Sequence, residues 1–126
     1  MVEPRPKVAS IAEKETEKVI DGAIVSPGSY VDEDLEVPSG KTGVALTVRA
    51  TYDASATQGV QIEVYYSPDG TNYDTDTDEV YDHPFEAGKT KQKTHVIQCV
   101  HPYVRIRIKN LDSSYAVTVS AWVTFI

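Results

Sequence analysis

Val60-Gln61-Ile62-Glu63-Val64-Tyr65-Tyr66, then Ser67-Pro68-Asp69-Gly70, then Thr71-Asn72-Tyr73, is the stretch that decides the fold. Val60, Ile62, Val64 and Tyr66 alternate with Gln61, Glu63 and Tyr65, the period of two that sends successive side chains to opposite faces of a strand. Proline presets φ in the turn and glycine closes it, the chemistry of a type I turn. A second run, Tyr103-Val104-Arg105-Ile106-Arg107-Ile108, alternates as strongly. Together these segments mark a compact antiparallel β domain.

Working outward, Val44, Leu46, Val48, Ala50 and Tyr52 share one face of a strand and Thr47, Arg49 and Thr51 the other. The pattern predicts a hairpin that sets Val48 opposite Val64 and Arg49 opposite Glu63, an opposite-charge cross-strand pair. A final hairpin is predicted across Leu111-Asp112-Ser113-Ser114, with Val104, Ile106 and Ile108 facing Ala121, Val119 and Val117. Its other face then pairs Tyr103 with Trp122, Arg105 with Ser120 and Arg107 with Thr118. Upstream, Val19 to Val25 reads as a strand interrupted by Gly22, and Tyr30 to Val37 as a short edge-like strand between Pro27-Gly28 and Pro38-Ser39-Gly40. Thr94 to Val100 is a further strand, preceded by a polar link over Gly88 to Lys93. Short strands with turn signals every 8–12 residues predict an all-β chain, an antiparallel β-sandwich of jelly-roll type with an N-terminal extended arm. The arm covers residues 1–18 and the sandwich residues 19–126.

A chain of 126 residues is long enough to bury a core without disulfide staples. Its single cysteine, Cys99, excludes an intramolecular disulfide. The formal charge of −7 argues against nucleic acid, which calls for a basic face. No run approaches the roughly 18 apolar residues of a membrane span, so no membrane partner is expected. The start, Met1 to Lys7, lacks the apolar region of a secretory signal. Tyrosine is the compositional outlier, eight against two Phe and one Trp, and suits half-buried sheet faces and contact surfaces.

Asp74-x-Asp76-x-Asp78, with Asp82 beyond, is a calcium candidate by spacing. It departs from the EF-hand pattern, with Glu79 where glycine belongs and Phe85 where the bidentate glutamate belongs. The competing reading is a solvated acidic loop. His95, Cys99 and His101 fall on one strand face, yet the cysteine pairs at fixed spacing that mark structural zinc are missing; the face reads instead as carrying a buried, inert thiol. There is no Gly-x-Ser-x-Gly elbow and no other local context for a nucleophile. No catalytic residue and no cofactor is therefore expected. Tyr103, Arg105, Arg107 and Trp122 are the candidate contact residues on the outer face of the final hairpin, with Lys109 beside them. Val8 and Ile11 are the candidates in the arm.

Two resemblances rest on these segments. Ser67-Pro68-Asp69-Gly70-Thr71-Asn72-Tyr73 after Glu63-Val64-Tyr65-Tyr66, with Tyr103-Val104-Arg105, is similar to elements of discoidin-like carbohydrate- or lipid-binding domains. The same elements, with the Val-Thr-Val closing strand, resemble small all-β virion proteins of tailed phages and related viruses over residues 19–126. The second resemblance implies a non-enzymatic structural protein of a virus-like particle: capsid decoration, head-fibre or tail accessory. Its partners would be other capsid proteins and copies of itself, and its location the virion assembled in the host cytoplasm. The alternative is a carbohydrate-binding module, with a glycan as partner and Tyr73 or Trp122 stacking on sugar, or a calcium-dependent adhesion module centred on Asp74 to Asp82.

Overall fold

The computed structural model describes residues 15–126. Val8 and Ile11, with the rest of the arm before Glu15, lie outside the described residues. Eight strands run through the described chain: β1 (Thr16–Val25), β2 (Tyr30–Glu36), β3 (Gly43–Tyr52), β4 (Val60–Ser67), β5 (Glu79–Asp82), β6 (Thr90–Gln98), β7 (Tyr103–Asn110) and β8 (Val117–Phe125). They form two four-stranded sheets of order β1-β8-β3-β6 and β2-β7-β4-β5, with every pairing antiparallel. The first is called sheet A and the second sheet B. Consecutive strands mostly alternate between the sheets, the interleaving of two Greek keys that defines a jelly roll.

The alternation read in the sequence is the alternation of core and solvent. Val44, Leu46, Val48, Ala50, Val119, Ala121, Val123 and Ile97 line the inner face of sheet A, all buried. Val60, Ile62, Val64, Val104, Ile106 and Ile108 line that of sheet B, equally buried. Neither predicted hairpin forms. Val48 pairs with Ala121 and Lys93, and Val64 with Ile106 and Glu79. Arg49 lies between Ser120 and Gln92, while Glu63 lies beside Arg107. β7 and β8 likewise belong to different sheets, so Ile106 and Val119 enter the common core from opposite sheets and are not paired along a ladder. The period of two says which side chains point inward but is silent on whether two inward faces sit side by side or opposed.

Two element boundaries also differ from expectation. β1 begins at Thr16, so Thr16 to Lys18 of the expected arm pair with Thr124, Val123 and Trp122. β6 begins at Thr90, inside the expected polar link. Lys91 and Lys93 point toward the core side of this edge strand, opposite Ala50 and Val48, and inward charges on an edge discourage pairing with another chain. Gly22 does not end β1. Its φ of 64° lies in the left-handed region and it falls within the second register shift of the strand, between Ile20 and Ala23, where its N–H reaches Ser120 Oγ at 2.9 Å.

Buried polar groups tie the loops at one end of the sandwich. Asp112, in the β7–β8 connection, accepts from the N–H groups of Ser114 and Tyr115 with one oxygen, each at 2.8 Å. Its other oxygen accepts from the N–H groups of Thr57 at 2.8 Å and Gln58 at 3.2 Å, fastening the β3–β4 loop. These donors hold its carboxyl well below the usual carboxylate range. Asn110, also buried, donates to the carbonyls of Val25 and Tyr115 at 3.1 and 2.9 Å.

Candidate functional site

The two outer faces of the sandwich are built differently. On sheet B, Asp32 and Asp34 of β2 stand beside Arg107 and Arg105 of β7. Each pair closes a fork: Arg107 Nε and Nη2 donate to Asp32 at 2.8 and 3.0 Å, and Arg105 Nε and Nη2 donate to Asp34 at 2.7 and 3.0 Å. Tyrosine rings complete the layer. The Arg107 guanidinium lies 3.8 Å from the Tyr30 ring centroid and 5.1 Å from that of Tyr65, and the Arg105 guanidinium lies 4.1 Å from that of Tyr73. The carboxylates push both guanidinium pKa values up. Tyr65 donates to Glu63 at 2.9 Å and is itself buried under this cover.

Tyr73 is aimed by the turn that precedes it. Asp69 Oδ1 accepts from the N–H groups of Thr71 and Asn72 at 2.9 and 2.8 Å, and Ser67 Oγ accepts from that of Gly70 at 2.9 Å. This cradle of donors lowers the Asp69 carboxyl far below its ordinary value. Gly70, at φ 78°, has no substitute here: a Cβ would sit 3.0 Å from the Tyr103 ring and demand a left-handed backbone. At this end of the face an open recess of about 240 Å³ is lined by Asp34, Leu35, Glu36, Gly70, Tyr73 and Tyr103.

Sheet A presents another surface. Thr47 and Thr94, Thr51 and Thr90, and Thr16 and Thr124 bond hydroxyl to hydroxyl across strands at 2.7, 2.9 and 2.7 Å. Trp122 lies among them with the Lys18 ammonium 5.2 Å and the Arg49 guanidinium 5.0 Å from its ring centroid. Ile24 and Val96, at the two edges of the same face, are 75% and 63% exposed.

The expected contact stripe is therefore divided. Tyr103, Arg105, Arg107 and Lys109 stay together on sheet B, whereas Trp122 is on the opposite side of the molecule, because β7 and β8 sit in different sheets. The carboxylates Asp32 and Asp34 were missed as partners. Their spacing of two residues, matching that of Arg105 and Arg107, was the available signal.

Asp74 to Asp78 form a loop ahead of β5, not a strand face. The Asp74 N–H donates to the Tyr66 carbonyl at 3.0 Å, and Asp78 Oδ2 accepts from the Tyr66 N–H at 2.9 Å. Asp78 hydrogen-bonds to and repels the Asp74 carboxyl, raising its pKa. Asp82 lies in β5 opposite Gln61, and Asp76 in the loop between. Among the described residues no three His, Cys, Asp or Glu side chains converge to hold a metal ion. His95 turns to His83, ring nitrogens 3.0 Å apart, and His83 Nε2 lies 3.0 Å from the Lys91 carbonyl. His101 lies against Tyr66, with ring centroids 5.8 Å apart. Burial pushes the half-buried Cys99 thiol up to about 11, so little thiolate forms at neutral pH.

No family model matches this chain. Over 90% of the chain it is similar to the structure of infectious bursal disease virus Gx strain, at 13% identity, TM-score 0.43 and 31% of that chain. Over 86% it is similar to a family 16 carbohydrate binding module-2, at 16% identity, TM-score 0.47 and 82% of that chain. Over 86% it is also similar to a family GH115 4-O-methyl-alpha-glucuronidase, at 12% identity, TM-score 0.49 and 16% of that chain. At these scores none of the three bears on function. The uncharacterized protein MJ0346 of Methanocaldococcus jannaschii is 43% identical over 84 residues, which make up 67% of this chain and 68% of that protein. By that identity and coverage, the chain belongs to the family of MJ0346.

Proposed function

We propose that this chain is a non-enzymatic structural protein that works through protein–protein contacts, with the outer face of sheet A as its contact surface. The observation that carries the reading is Trp122, bracketed by Lys18 and Arg49 on a sheet face that also leaves Ile24 and Val96 uncovered. Tryptophan and arginine are enriched among interface anchors, tryptophan because it buries a large rigid ring and arginine because its planar guanidinium both stacks and donates several hydrogen bonds. The bonded threonine pairs hold their hydroxyls in place before a partner arrives, which lowers the ordering cost of docking. Lys18 is bridged to Asp21 at 2.7 Å, whereas Arg49 bonds the neutral Gln92 and so favours an acidic partner; a second copy of this −7 chain offers one in its Asp74 to Asp82 segment.

Assembly into a virus-like particle, as capsid decoration, head-fibre or tail accessory protein, is the finer part of the reading. It is supported by the resemblance of residues 19–126 to small virion proteins and by the jelly-roll order of the strands, an architecture common in capsid and lectin domains. Sedimentation of the purified protein tests the contact surface. The wild type is expected to form a defined oligomer, and Trp122→Ala or Arg49→Glu to yield folded monomer. A wild type that stays monomeric at every concentration refutes the reading. Deletion of residues 1–14 is expected to weaken the same assembly.

A further inference from the structure

We infer that the recess at the Glu36 end of sheet B is a binding site for a neutral, hydroxyl-rich ring, a single sugar residue of a glycan. It goes beyond the assembly role and occupies the opposite face of the sandwich, so one protein could engage both kinds of partner.

The walls of the recess supply what a sugar needs. Tyr73 and Tyr103 are half-buried rings offering apolar surface with hydroxyls at their tips. Glu36 and Asp34 are exposed carboxylates able to accept from sugar hydroxyls. Asp34 is held by both donors of the Arg105 fork, which sets its orientation. The Asp69 cradle and the left-handed Gly70 fix the loop carrying Tyr73, so the site is formed before a ligand arrives.

Charge selects among ligand classes. The Arg105 guanidinium, 4.1 Å from the Tyr73 ring centroid, covers one face of that ring, and its fork neutralises Asp34, so Glu36 is the remaining charge of the lining. Glu36 repels an anion. A neutral ligand with hydroxyl donors bonds to that carboxylate without the repulsion, and a cationic probe is the control for simple charge attraction. The volume of about 240 Å³ falls below the roughly 300–1,000 Å³ of pockets for drug-sized ligands, which suits one ring.

Amide chemical shifts of the whole protein, titrated with methyl β-D-glucopyranoside, methyl β-D-galactopyranoside and the methyl glycoside of N-acetylglucosamine, test the site. Nα-acetyl-lysine amide, whose ε-ammonium is its single charge, serves as the cationic probe. At least one glycoside is expected to give saturable shifts at Glu36, Gly70, Tyr73 and Tyr103, with affinity in the range of about 1–10 mM for so small and open a contact. Tyr103→Ala should weaken that binding roughly tenfold. Glu36→Ala, at an exposed position with no bearing on the fold, should weaken it as well. Neither should change the oligomeric state, so failure here is separable from failure of the assembly reading. No saturable shift with any glycoside overturns the proposal. So does binding of the lysine probe alone, or sugar shifts that cluster around Trp122.

Discussion

The outer faces of sheets A and B are made of the same kind of strand and finished in opposite ways. Sheet B closes its charges on itself: two Arg–Asp forks lie against tyrosine rings, and the ions are neutralised within the face. Sheet A pairs hydroxyls across its strands and leaves branched apolar side chains exposed at its edges. Around Trp122 it sets Lys18, bridged to the exposed Asp21 at 2.7 Å, and Arg49, bonded to the neutral Gln92. Sheet B has spent its strong groups on internal order, apart from the recess at one end. Sheet A keeps its strong groups facing outward. The difference separates a face locked by paired ions from a face held by hydroxyl pairs around a tryptophan.

The largest expected effect comes from the core on which both faces stand. Ile106→Ala should cost about 3–4 kcal/mol in urea unfolding, since Ile106 is 1% exposed and its loss leaves a cavity between the sheets. A loss confined to sheet B by hydrogen exchange, with sheet A still protected, would show that the sheets unfold separately.

Acid should come next. Burial lowers the pKa of both paired imidazoles, His95 to about 4. An unfolded histidine titrates near 6.5, so below that pH the unfolded chain binds more protons than the folded one. The stability that this pair contributes is thus complete above about pH 6.5 and is lost as pH falls toward 4. Melting temperatures measured between pH 7 and 4 should fall, and fall less in His95→Phe; identical slopes would refute the assignment.

Arginine truncation sharpens the contrast directly. Arg107→Ala should cost about 1–2 kcal/mol, after allowance for side chains 22% and 29% exposed in the Arg107–Asp32 pair. Arg49→Ala, on a face whose Arg49–Gln92 bond is exposed, should change stability by about 0.5 kcal/mol or less. Equal costs would mean that the two faces are not built differently after all.

Much of the architecture was legible because burial imposes the period of two. The alternation of Val44 to Tyr52, Val60 to Tyr66 and Val104 to Ile108 is the alternation of the core, and Ser67-Pro68-Asp69-Gly70 reverses the chain where its composition predicts, closed by the Ser67 and Asp69 side chains and not by a backbone turn bond. The β6 start was hidden because Lys91 and Lys93 make an edge strand resemble a loop. The candidate contact residues were only partly legible: Arg105 and Arg107 share their face with Tyr103 as expected, but their Asp32 and Asp34 partners lie far along the chain.

The sequence by itself determined the all-β class, the inward set of side chains and the local chemistry of the turns. These depend on neighbours along the chain and on the transfer of apolar side chains out of water. Only the tertiary structure decided which strand lies beside which. Alternation is satisfied equally by inward faces that are adjacent or opposed, so the choice rests on long-range packing. That choice put Trp122 and Arg105 on opposite sides of the molecule, dividing one expected stripe between two differently built surfaces.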